Sequence, residues 1–206
     1  MATDSTGMAL VTAVWPDPRD ADRAVNELLG TGSPVRIDRL NVAALVLTRD
    51  GRLRIHRDEQ TGKGALVSGV LGAALGVLAG SPGWLLLGGG VLERLAAAAT
   101  AAGMDTGPLR DLADRLPPAG SAVIVVATVD AASAVHLALT MLEGDVTVQH
   151  IDPVVVQATG LSAAVRYNAG DVDGDVIAIR RVTDPSFSHS TGESHPPDRS
   201  YRSDCD

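Results

Sequence analysis

The sequence predicts an α+β domain in which two β-α-β halves share one antiparallel sheet and a glycine-rich helical hairpin is inserted between them. Three observations lead there. Two apolar runs rich in β formers, Met8 to Trp15 and Gly120 to Val129, each lead into a helix that opens on an acidic capping residue, Asp17 or Asp130. An Asp50-Gly51 pair joins two further strand-like runs, and the stretch from Gly64 to Leu92 carries no charged residue.

In chain order, residues 1–7 are small and polar and read as a frayed start. The strand from Met8 ends at Trp15-Pro16. Asp17 then caps a helix with Pro18 in its first turn, and Ala21, Ala24, Val25 and Leu28 fall on one face. Asn41 to Thr48 forms the next strand, and Arg52 to Arg57 returns beside it with Leu53 and Ile55 facing inward. The alternating arginines suit an extra edge strand, because solvated charge discourages further pairing. Halves of this kind, paired through their central strands, make a ferredoxin-like sandwich. A dinucleotide-binding fold is excluded, since no G-x-G-x-x-G follows the first strand and a long insertion separates the halves.

The insertion covers about residues 61–116. Small residues recur every fourth position at Gly64, Ser68, Gly72, Gly76 and Gly80, with Ala65, Gly69 and Ala73 one step around. On a helix this spacing leaves a groove that another backbone can approach. Ser81-Pro82-Gly83 breaks the helix, and Trp84 to Leu92 begins a second leg. A helix from Gly64 to Gly80 would be about 25 Å long, short of a hydrocarbon core of roughly 30 Å. A single crossing would also separate the two halves, so the hairpin leaves and returns on one side. Its expected partner is a second copy of the chain or lipid, through Gly64, Ser68, Gly69, Gly72, Gly76, Gly80 and Trp84.

An alanine-rich helix then runs to Gly103. Asp105-Thr106-Gly107-Pro108 opens another, with Leu109, Leu112 and Leu116 on one face and Pro117-Pro118 as its stop. After the buried strand, the helix from Asp130 presents Ala131, Val135, Ala138, Leu139 and Leu142 to the sheet. Two strands follow, in VTVQHID and VVVQ. The domain is expected to span 8–158, with a β-hairpin extension at 159–183 and a polar, disordered tail at 184–206.

Asp50-Gly51, Gly62-Lys63-Gly64-Ala65, Gly69, Gly72, Gly76, Pro82-Gly83, Gly103-Met104-Asp105, Leu112, Leu116 and Gly120-Ser121-Ala122 form a pattern over about residues 8–158. It resembles the bacterial domain-of-unknown-function family numbered twelve sixty-nine, whose glycine-rich apolar segment has given it the label of a membrane protein. The resemblance implies this fold and implies no reaction, cofactor or catalytic residue.

Composition narrows the chemistry further. A net charge of −8 and an aromatic content of 2% disfavour nucleic acid, which attracts Lys and Arg and stacks on aromatic rings. Cys205 is the single cysteine, and His56, His136, His150, His189 and His195 share no metal-ligand spacing. Asp171, Asp173 and Asp175 resemble half a calcium loop without the distal glutamate, so they read as a turn. Gly62-Lys63-Gly64 lacks the phosphate-loop spacing, and Ser121 begins a strand and sits in no nucleophile elbow. Without a basic, apolar leader at Met1, the expected compartment is the cytoplasm or the cytoplasmic face of the membrane.

The expected function is therefore non-enzymatic and cofactor-free: an interaction module that self-associates as a homo-oligomer through the glycine-rich hairpin. The first alternative is membrane association, with Arg49, Arg52, Arg54, Arg57 and Lys63 meeting acidic lipid. The second is a small-ligand sensor using the open sheet face.

Overall fold

The computed structural model describes residues 7–33, 35–56, 65–87, 90–160, 164–167 and 175–181. It is a mixed α+β structure built on one antiparallel seven-stranded sheet. β1 (Met8–Trp15) lies between β6 (Ser121–Thr128) and β7 (Asp145–Ile151); β6 also pairs with β2 (Val42–Leu47), which continues to β3 (Arg52–His56). The sheet is completed by β9 (Asp175–Arg180) and β5 (Trp84–Leu86), in the order β5-β9-β3-β2-β6-β1-β7. A separate two-stranded ladder joins β4 (Ala65–Ser68) to β8 (Ala164–Tyr167).

Alternation along the central strands divides the core. Ala9, Val11 and Ala13 of β1 and Val123 and Val125 of β6 face α1 (Asp20–Leu29) and α5 (Val129–Met141). Leu10 and Val14, with Ile124 and Leu45, face the opposite way, onto α2 (Gly69–Ala79) and the helices around it. Those helices are α3 (Val91–Ala101), α4 (Gly107–Arg115) and α6 (Pro153–Thr159). With both sheet faces covered, the central strands can be apolar throughout, and every residue of β1 is buried.

Several elements form where their local signals put them. Gly51 adopts φ +79° in the β2–β3 turn, a conformation open to glycine, and Thr48 bonds both the N–H and the C=O of Arg52 across it. Leu53 and Ile55 are buried as expected.

Other expectations are corrected. Helix α1 starts at Asp20, because the Asp17 carboxylate accepts from Arg19 N–H in a turn of its own. Thr128, not Asp130, caps α5, accepting from Ala131 N–H at 3.3 Å. The VVVQ segment is helix α6: Asp152 caps it and Pro153 opens it, a start signal that outweighs three β-branched valines. Strand β3 is not an edge, since β9 covers it. Among the described residues the two strands expected to form a hairpin after Gly160 do not pair with each other; β8 pairs with β4 and β9 with β3 and β5.

The glycine-rich stretch also divides differently. Ala65–Ser68 is strand, the helix begins at Gly69, and the second leg opens as strand β5 before α3. The Ser81-Pro82-Gly83 turn stands, with Gly83 at φ +83°. The expected tail at 184–206 lies outside the described residues, as do Gly64, Arg57, Lys63 and the calcium-like aspartates 171 and 173.

Candidate functional site

The small-residue stripe has a partner within the chain. A Cβ on Gly76 would lie 2.2 Å from the carbonyl oxygen of Leu92 and 2.9 Å from Ala96 Cβ, so α3 occupies the groove. A Cβ on Gly69 would fall 1.8 Å from the carbonyl oxygen of Thr159, at the end of α6. At Gly72 the neighbour is Leu95 Cδ1, 2.8 Å away. Every residue of α2 is buried, and Ser68 Oγ caps the helix by accepting from Leu71 N–H. Close approach of two backbones is what the spacing requires, and α2 and α3 supply it to each other.

Helix α2 has 11 residues, and none of the described helices is long and apolar enough to cross a membrane. Arg52 is ion-paired with Asp50 at 2.9 Å, which dilutes the expected basic patch. Among the described residues no group of His, Cys, Asp and Glu is arranged to hold a metal.

Gly76, Gly80 and Trp84 come together in a different setting. They line an open groove of about 520 Å³ between β5 and the outward flank of α3. Its floor is Gly76 and Val77 of α2 with Gly80, which follows the helix; Glu93, Ala96, Ala97 and Thr100 form the α3 wall, three and four residues apart on one face. Arg110 of α4 and Arg181 at the end of β9 complete the rim. The Arg180 guanidinium carbon lies 4.8 Å from the centroid of the Trp84 ring, and its Nη2 donates to the carbonyls of Ala113 (2.8 Å) and Leu116 (3.3 Å). Arg180 therefore holds the end of α4 and the Trp84 ring to one strand. Sequence spacing on the insertion could not reveal Arg180 and Arg181, because they arrive with β9 from outside it.

A second feature lies at the far end of the sheet. β7 pairs only with β1, so its outer edge is unpaired among the described residues. Val129 N–H donates to the carbonyl of Gly7 in the β1–β6 register, so odd-numbered β1 residues bond β6 and even-numbered ones bond β7. On β7 the N–H and C=O groups of Val146, Val148 and His150 consequently point outward. The strand has no proline, lysine or bulge to blunt this edge. Val148 is 39% exposed, and Leu137 and Met141 of α5, the helix packed on β1 and β7, are 61% and 77% exposed.

The comparisons add no relative: neither protein-family models nor curated proteins nor solved structures give a match to this chain.

Proposed function

We propose that the chain is a non-enzymatic interaction module that self-associates through the β7 edge. The observation that carries this reading is an unblunted strand of seven residues with outward backbone groups at Val146, Val148 and His150. Antiparallel pairing with a second copy about a two-fold axis at Val148 aligns all seven residues and sets Val146 opposite His150 of the second copy. The outward groups then form about six hydrogen bonds, worth roughly 1 kcal/mol each. Exposed apolar side chains on the α5 face, Val148 among them, add burial on the same side of the sheet. Association costs about 4–15 kcal/mol, so the assembly is expected to be concentration-dependent.

Within this reading the strands β7-β1-β6-β2 and helices α1 and α5 form a ferredoxin-like unit. The strand β3, the strands beyond it and the inserted helices are additions that, among the described residues, leave β7 as the unit's unpaired edge. Self-association through the glycine stripe itself is not favoured, because α3 and the end of α6 fill the positions a partner would need.

Sedimentation velocity across a concentration series tests the proposal. The chain should pass from 21.1 kDa toward twice that mass. Val148→Lys should keep it at the monomer mass with unchanged circular dichroism. A wild-type chain that stays monomeric, or a Val148→Lys chain that dimerises as before, would refute the β7 interface.

A further inference from the structure

We propose that the groove between α3 and β5 binds an extended acidic peptide, which adds as a strand to β5. The groove is independent of the β7 edge and lies at the opposite end of the sheet. Three features specify its occupant.

The first is a strand edge. Leu87 N–H donates to Ile177 and Arg181 N–H to Gly83, so in the same register Leu85 turns its backbone groups toward β9 and Leu86 turns its own toward the open side. All three residues of β5 line the groove, and Leu85 is 44% exposed. An added strand takes its affinity from such main-chain groups.

The second is shape. Gly76, Gly80, Ala96 and Ala97 leave the floor and wall without bulky side chains, while Val77 and Trp84 keep the base apolar. An extended chain with small apolar residues at alternate positions fits such a trough.

The third is charge. Arg110 and Arg181 are exposed, and among the described residues neither guanidinium makes an ion pair. Among the described residues Glu93 is the single acid lining the groove, which is therefore net cationic in a chain of net charge −8. Carboxylates on the peptide would meet the two guanidiniums, whereas a basic peptide would be repelled.

The test is fluorescence anisotropy of the full-length chain with a labelled, end-capped peptide of alternating glutamate and valine. It should bind saturably, and its lysine-valine counterpart should bind at least about tenfold more weakly. N-methylation of alternate amides, which blocks strand pairing but keeps the charges, should also cost about tenfold. Arg110→Glu with Arg181→Glu should reverse the preference toward the lysine peptide; both positions are exposed, so folding should be retained. Ala97→Trp should fill the groove and remove binding of both peptides. Equal affinity for the two charge patterns, equal affinity for the N-methylated form, or no saturable binding of the glutamate peptide would each overturn the proposal. So would a dimer persisting in Val148→Lys and lost in Ala97→Trp, which would make the occupant a second copy.

Discussion

Gly76→Ala separates a glycine stripe that packs inside one chain from one that joins two. An added methyl would sit 2.2 Å from the Leu92 carbonyl oxygen, and because that atom is backbone it cannot swing away. To reach ordinary contact, α3 has to retreat by about 1 Å along its contact with α2. Alanine gains about 1 kcal/mol of helix propensity over glycine. Overpacking of this kind costs about 1–3 kcal/mol, and rigid backbone on both sides puts this site at the upper end. The net loss should be about 2 kcal/mol, a fall in Tm of about 4–8 °C for a chain of this length. Gly72→Ala is the internal control. Its one close contact is with the tip of Leu95, which can rotate, while Val67 and Leu92 lie at 3.4 and 3.7 Å, so the propensity gain should leave its Tm nearly unchanged. Thermal unfolding followed by circular dichroism gives the stabilities, and light scattering at high concentration gives the mass. A Gly76→Ala chain that melts as the wild type does but loses its dimer would refute the assignment of the groove to α3.

Three further outcomes follow from single contacts. Thr12 is 3% exposed in the middle of β1, and its hydroxyl finds no partner among the described residues, so Thr12→Val should raise stability by about 1–2 kcal/mol in a denaturant titration. Arg180→Lys removes the guanidinium whose Nη2 reaches both the Ala113 and Leu116 carbonyls and whose central carbon lies over the Trp84 ring; a loss of about 1–2 kcal/mol is expected in the same assay, with increased hydrogen exchange at the end of α4. Chiefly through the neighbouring Thr48 side chain, and also through Arg52 and Arg54, the Asp50 carboxyl is held below its ordinary pKa. A depressed carboxyl contributes to folding above its unfolded pKa, and that contribution is lost as pH falls through the folded value. NMR titration should therefore find the Asp50 midpoint below that of an ordinary aspartate, and Thr48→Val should move it upward.

Most of the β-α-β segments were legible in the sequence because their signals are local. Periodicity, caps and turn residues act within a few positions, and the runs of buried valine and alanine in β1 and β6 could only be central strands. Where two local signals compete, their relative weight decides the element. Pro153 after Asp152 carried more than the valines behind it, and α6 is a helix. Of the predicted contact residues, Gly76, Gly80 and Trp84 do line a shared groove, but Ser68, Gly69 and Gly72 belong to the interior.

The sequence by itself determined that α2 carries a face of small residues along which another backbone can approach closely, since four-residue spacing of glycine strips that face of side chains. Only the tertiary structure decided which backbone. Gly76 meets Leu92 within the insertion, yet Gly69 meets Thr159, ninety positions along the chain, and β9 arrives from still further to cover β3 and place Arg180 over Trp84. Such pairings depend on the free energy of the whole packed arrangement and leave no periodicity in either partner. For the same reason the arginines of β3 suggest an edge that β9 in fact covers: a strand's own residues report which face is buried, while its flank is set by whichever distant segment pairs there.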